Sequence, residues 1–314
     1  MSRSHSSVRG LSAGERARDW YGHFRRYVSE RGEESDFSET RRNIAEYRHW
    51  VKQVAGVELE DARAIEVGYG PRPERLFWLS ALGVDVVGVD LDQPVLSGRP
   101  AELMAVFRTN GVERCLKSTV RHFLFDRGRR NALAEAIEAE TGRPFRLPRE
   151  RLFVGDAGGD AFWSLHAEPV HLIYSEDVFE HIPRPALVQV VAQMAAHLRD
   201  DGVALVRPMV FTGIAGGHLL EWYPEFVDRD EERRSEPWEH LRRNRFPANS
   251  YLNELTLDDY RELLSTHFDI LEERVTQPAM GRQYLTPEVR EELRAYSEAD
   301  LLSNNVLFVL RKRS

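Results

Sequence analysis

Residues 61–92, DARAIEVGYGPRPERLFWLSALGVDVVGVDLD, constrain the fold more than any other stretch of the chain. An apolar run, a glycine-bearing turn, a segment with helical spacing and a second apolar run ending in Asp90 follow one another without a gap, which is the pattern of a β-α-β unit. Such near-continuous apolar strands belong to a parallel sheet covered on both faces. Further strands are expected over 151–154, 170–175, 203–209, 268–275 and 304–311, and helices over 184–199, 256–266 and 287–300. The pattern predicts an α/β fold: a Rossmann-like, mostly parallel seven-stranded sheet with helices on both faces.

The turn Glu66-Val67-Gly68-Tyr69-Gly70-Pro71 places glycine where the backbone must bend and pass close to a ligand. Asp90 closes the next strand about twenty residues later, at the spacing where a carboxylate can accept from ribose hydroxyls. A dinucleotide-binding turn would carry a third glycine and offer backbone donors to a pyrophosphate. Here Pro73 stands at that position, and Pro71 and Pro73 remove two amide donors. A phosphate-free adenosine cofactor suits this turn better, which points to S-adenosylmethionine.

Helical spacing is also present over 13–32, with Trp20, Tyr21, Phe24 and Tyr27 on one side, and over 38–55. The expected organisation is a disordered tail over 1–12, a helical cap over 13–57 and the main domain over 58–314. Residues 93–150 exceed what a simple α/β connection needs and read as a helical insertion. Residues 210–250 mix Gly, Pro, Trp, His and Arg, the composition of a substrate lid.

The formal charge of -8 opposes a general electrostatic hold on nucleic acid. Cys115 is the single cysteine, so an internal disulfide or a cysteine-rich metal site is excluded. No run approaches the length of about 18 apolar residues that a membrane span needs, and the N-terminus has no apolar leader core. A cytoplasmic protein without a membrane partner is expected, with a homodimer left open.

The glycine turn, the acidic strand end, GDA at 155–157 and SEDVFEHIP at 175–183 occur in the order found in class I S-adenosylmethionine-dependent methyltransferases, which the chain resembles over about 60–210. The resemblance implies that Gly68, Tyr69 and Gly70 shape the pocket of the amino-acid tail, that Glu66 orients the loop and that Asp90 binds the ribose. It implies adenine contact at Asp156 and Ala157, and places Ser175 at the cofactor edge. SEDVFEHIP looks like the corresponding run of small-molecule members, and its His181 is the first candidate base, with Asp177 the second. Beyond strand five, His218, Trp222, His240 and Arg242 are candidate substrate contacts, an arginine being suited to a carboxylate or phosphate. His181, His218 and His240 with Asp177 or Glu221 offer metal-ligand types, but no HxH or HExxH spacing supports them, and no metal is expected.

The resulting expectation is methylation of a small molecule, on oxygen before nitrogen, within a biosynthetic pathway. A methyltransferase-like binding or assembly subunit without catalysis would share the fold. A nicotinamide-dependent oxidoreductase would share the β-α-β unit, but the two prolines and the EHIP segment count against it.

Overall fold

The computed structural model describes Gly14 and residues 36–229, 233, 235–246, 248 and 250–313. The tail expected over 1–12 and, Gly14 apart, the helix expected over 13–32 lie outside the described residues.

Helix α1 (Ser38–Ala55) ends at Gly56 in the left-handed conformation and buries Ile44, Tyr47, Trp50 and Val51. Strand β1 (Arg63–Val67), α2 (Glu74–Leu82) and β2 (Asp85–Asp90) form the expected β-α-β unit. The insertion is helical, as its spacing predicts: α3 (Pro100–Arg121), a π turn over His122–Asp126 and α4 (Arg127–Thr141). Gly111, at φ 80° and ψ 174°, interrupts α3 with a kink. Then come β3 (Leu152–Val154), α5 (Asp160–Leu165), β4 (Val170–Glu176), α6 (Arg184–His197) and β5 (Leu198–Arg207). The chain continues through α7 (Glu239–Arg242), α8 (Leu257–Ser265), β6 (Phe268–Val275), α9 (Pro287–Glu292), α10 (Glu298–Leu302) and β7 (Val306–Lys312).

The seven strands are ordered β3-β2-β1-β4-β5-β7-β6, mostly parallel with one antiparallel hairpin. Ile65 at the middle of β1 pairs in parallel with Val87 of β2 on one side and Ile173 of β4 on the other. Two expectations need correction. The helix expected over 287–300 is broken in two, because Ser297 and Asp300 form a capping box that starts α10 afresh. The fifth strand begins at Leu198 rather than near 203, through the exposed residues Arg199, Asp200 and Asp201 that show no apolar alternation.

The described chain divides into two compact units. One contains residues 36–175, 189–205 and 311–313. Its core includes Ile65, Val67, Leu76, Trp78, Val86, Val89, Ile173 and Tyr174, all essentially without solvent exposure. Gly88 sits inside β2 where a Cβ would come within 2.7 Å of Leu76 and 2.9 Å of Tyr69. Gly88→Val should therefore cost about 1–3 kcal/mol through overpacking. Urea unfolding reads this directly, and an unchanged midpoint would show that α2 approaches β2 less closely than described.

The other unit contains Glu176–Val188 and Val206–Leu310. The segment expected to be a lid is packed into a core of its own here. Ile214, Ala215, Leu219, Trp222, Val227 and Trp238 are buried together with Met280, Leu285, Val289 and Leu293.

Candidate functional site

In the first unit, β1 ends by delivering Gly68 and Gly70 at φ 80° and 64°, a region that L side chains rarely adopt. The Gly68 N–H donates to Val89 O at 2.8 Å, and the Gly70 N–H donates to the Asp90 carboxylate at 2.8 Å. The second Asp90 oxygen accepts from the Asp92 N–H, also at 2.8 Å. Asp90 thus pins the glycine turn while each oxygen keeps a further lone pair for a ligand. Burial pushes its carboxyl up to about 6, against the lowering effect of the Gly70 N–H. A Cβ built on Gly70 would meet nothing within 4 Å, so open space lies against the turn.

Glu66 is buried, with Arg75 at 3.2 Å and the Tyr174 hydroxyl at 3.2 Å. Tyr69 turns its ring inward, and its hydroxyl donates to Phe153 O at 3.0 Å, so only its backbone borders the turn's open side. Asp156 accepts from the Gly158 N–H at 2.9 Å, an Asx turn after β3. The Ala157 carbonyl accepts the Trp163 indole N–H at 2.8 Å. Ser175 is fully buried and donates to Val67 O at 2.8 Å, which ties β4 to β1.

The start of α2 is unsuited to phosphate. Pro71 and Pro73 offer no N–H, and the Glu74 carboxylate occupies the first turn, paired with Arg129 at 2.5 and 2.9 Å. A pyrophosphate would meet a carboxylate there. A partly buried acid at the end of β2, an open glycine turn and a phosphate-averse helix start fit the ribose and tail of S-adenosylmethionine.

The second unit holds the other candidates. Asp177 adopts φ 54°, a strained conformation for a non-glycine residue, and accepts from the Asn305 side-chain amide at 2.8 Å. Just before it, Glu176 is buried in an ion pair with Arg207 at 2.8 Å. His181 donates from Nδ1 to the Tyr251 carbonyl at 3.0 Å, which leaves the lone pair of the neutral ring on Nε2. Its ring meets that of His218 edge-on, with centroids 4.9 Å apart.

His218 adopts φ 53°, bonds through Nδ1 to the Tyr223 hydroxyl at 3.1 Å and has no hydrogen-bond partner at Nε2. Burial, then His181 and His240, lower its pKa to about 3, so it is neutral at any physiological pH. Glu180 is 4 % exposed and its carboxylate makes no full hydrogen bond, although the N–H groups of Glu180 and Met209 lean toward it. Burial first, and Asp177 next, hold this carboxyl well above the usual carboxylate range. The Tyr260 hydroxyl is buried near it and makes no full hydrogen bond, although the Asn253 side chain leans toward it.

Three of the expected substrate contacts are committed to structure. Trp222 is 2 % exposed, with its indole N–H on Ser235 at 2.8 Å. Arg242 bridges Glu236 at 3.1 Å and Glu292 at 2.6 Å. His240 bonds through Nε2 to the Phe211 carbonyl at 2.8 Å, and burial lowers its pKa to about 4. Its ring packs where a Cβ on Gly217 would fall, 2.6 Å away. Glu180 is the residue that the sequence reading passed over. It was visible only as one acid among several in SEDVFEHIP.

An α/β fold with a glycine turn and an acidic strand end, shaped to suit a nucleoside, is what the chain presents. Residues 38–266 match the family model of the methyltransferase domain, so the chain belongs to that family and is a class I S-adenosylmethionine-dependent methyltransferase. No curated protein sequence matches it. Among solved structures, a Pyrococcus horikoshii protein aligns at 14% identity over 89% of this chain and 93% of its own, with a TM-score of 0.43. A TehB-like S-adenosylmethionine-dependent methyltransferase of Corynebacterium glutamicum aligns at 14% over 90% and 99%, with a TM-score of 0.39. The CcbJ methyltransferase of Streptomyces caelestis aligns at 10% over 85% and 89%, with a TM-score of 0.42. No helix among the described residues is long and apolar enough to cross a membrane.

Proposed function

We propose that the protein methylates a hydroxyl oxygen of a small molecule. The observation that carries this reading is the group of Glu180, His181 and His218, in which the buried Glu180 carboxylate and His218 Nε2 make no full hydrogen bond. Such a cluster suits an incoming hydroxyl that must lose a proton.

S-adenosylmethionine, when bound, supplies a methyl group already activated on a sulfonium. Asp90 accepts from its ribose hydroxyls, Gly68 and Gly70 leave room for the tail, Glu66 holds the loop through Arg75, and Asp156 receives the adenine amino group. His181, its tautomer fixed by the Tyr251 carbonyl, takes the acceptor's proton at Nε2. Asp177, the second candidate base, is held by the Asn305 side-chain amide. The class resemblance supports this assignment, since its members set cofactor and acceptor side by side after the fourth strand. The small size of the acceptor is supported by the negative net charge, which works against a polynucleotide.

A screen of hydroxylated small molecules, read by S-adenosylhomocysteine release and by the mass of the methylated product, tests the reading. O-methyl products are expected. Methylamine products alone would move the acceptor atom to nitrogen, and cofactor binding without any turnover across the screen would favour a binding subunit.

Cofactor affinity should also depend on pH in a defined direction. Asp90 accepts ribose hydrogen bonds as a carboxylate and titrates near 6, so affinity is full above that value. It should fall by about tenfold per pH unit below it. Calorimetric titration with S-adenosylhomocysteine between pH 5 and 8 checks this, and a flat profile would remove Asp90 from the ribose site.

A further inference from the structure

In the second unit a carboxylate and an imidazole nitrogen lie buried side by side. Glu180 is 4 % exposed and neither oxygen makes a full hydrogen bond; the same holds for His218 Nε2. Stranding a charged or polar group in this way is costly, and proteins ordinarily pair such groups or give them a metal. The local backbone is shaped to present them. His218 sits in the left-handed region after Gly216 and Gly217, and a Cβ on Gly216 would lie 2.2 Å from the Phe211 carbonyl oxygen. A tightly folded turn and a strained residue together aim one imidazole inward.

One ligand atom each from Glu180, His181 and His218 lie within 4.8 Å of one another. Small side-chain rotations close such a spacing onto one ion with bonds of about 2.0–2.2 Å. Both histidines have outer hydrogen bonds of the type that orients metal ligands. His181 Nδ1–H donates to the Tyr251 carbonyl at 3.0 Å, and His218 Nδ1 faces the Tyr223 hydroxyl at 3.1 Å. When His218 donates from Nδ1 to that phenol oxygen, both rings present lone pairs at Nε2. The alternative ligands weighed from the sequence are engaged elsewhere: His240 with Phe211, Asp177 with Asn305, and Glu221 with Ser235.

We propose that Glu180, His181 and His218 hold a divalent transition-metal ion of the zinc type, with an open coordination position for the acceptor's hydroxyl. Two imidazoles and one carboxylate select zinc, cobalt or iron over magnesium or calcium, and three protein ligands leave room for a fourth. The proposal rests on the hydroxyl reading and deepens it. His181 then acts on the acceptor through the ion. Coordination weakens the O–H bond, the proton leaves to water and the electron pair stays on the oxygen.

The test uses the full-length, tag-free protein, stripped with chelator and titrated with cobalt(II) as the probe. One equivalent of cobalt should bind, with visible absorption bands of an imidazole-ligated ion that zinc displaces. Glu180→Gln and His218→Ala should each weaken cobalt binding at least about tenfold while S-adenosylhomocysteine affinity stays as in the wild type. The near-isosteric Glu180→Gln guards against misfolding, checked by a cooperative thermal transition. Absence of cobalt uptake, or uptake undiminished in both variants, overturns the metal site. If that happens while S-adenosylhomocysteine still binds and His181→Ala still slows turnover, the metal falls alone and His181 remains the base. Failure of S-adenosylhomocysteine binding would instead strike at the methyltransferase reading.

Discussion

Asp90→Ala is expected to abolish measurable cofactor binding. Its carboxylate serves two purposes: one oxygen holds the Gly70 N–H and the other the Asp92 N–H, each at 2.8 Å, and both offer their remaining lone pairs to the ribose. Hydrogen bonds to a charged group contribute about 1.5–3 kcal/mol each, so losing two from the ribose costs about 3–6 kcal/mol. That is a fall of two to four orders of magnitude in affinity, at about 1.4 kcal/mol per tenfold. The glycine turn also loses its pin, so the unfolding midpoint should drop as well. Calorimetry against S-adenosylhomocysteine reads the first effect and thermal unfolding the second. Wild-type affinity in this variant would mean that the cofactor's ribose lies elsewhere.

The second large effect separates binding from chemistry. His181→Ala should leave cofactor affinity within about twofold of the wild type and slow turnover at least about a hundredfold, the contribution usual for a positioned acid or base. The slowing should appear in kcat at saturating cofactor, because the imidazole acts on the acceptor's proton. It is expected whether Nε2 takes that proton itself or holds an ion that acidifies the hydroxyl. Undiminished kcat would remove His181 from the reaction. A loss confined to cofactor affinity would make it a support of the cofactor pocket.

The parts of this account that were legible in the sequence are those fixed by local backbone demands. Gly68 and Gly70 adopt positive φ, and Asp90 closes the following strand. These requirements are met within one β-α-β unit, so spacing alone exposes them. The broken helix over 287–302 was legible too, since Ser297 and Asp300 spell a capping box, but continuous helical spacing outweighed that local signal. The substrate candidates went differently because Trp, His and Arg have the same composition whether they wall a ligand or anchor a core. Trp222 is buried in a core and Arg242 is paired with Glu292, settings made by burial and partners that no single segment encodes. Glu180 stayed hidden for a related reason. Its significance lies in making no full hydrogen bond, and that depends on His218 and Tyr260 arriving from distant parts of the chain.

The measurement that tests the central claim most directly is a calorimetric titration of the purified protein at pH 7.5 with S-adenosylmethionine and S-adenosylhomocysteine, with NAD and NADP run alongside. The account predicts one site of micromolar affinity for each of the first two and no heat from the nicotinamide cofactors. Tight binding of NAD or NADP with none of S-adenosylhomocysteine would contradict it.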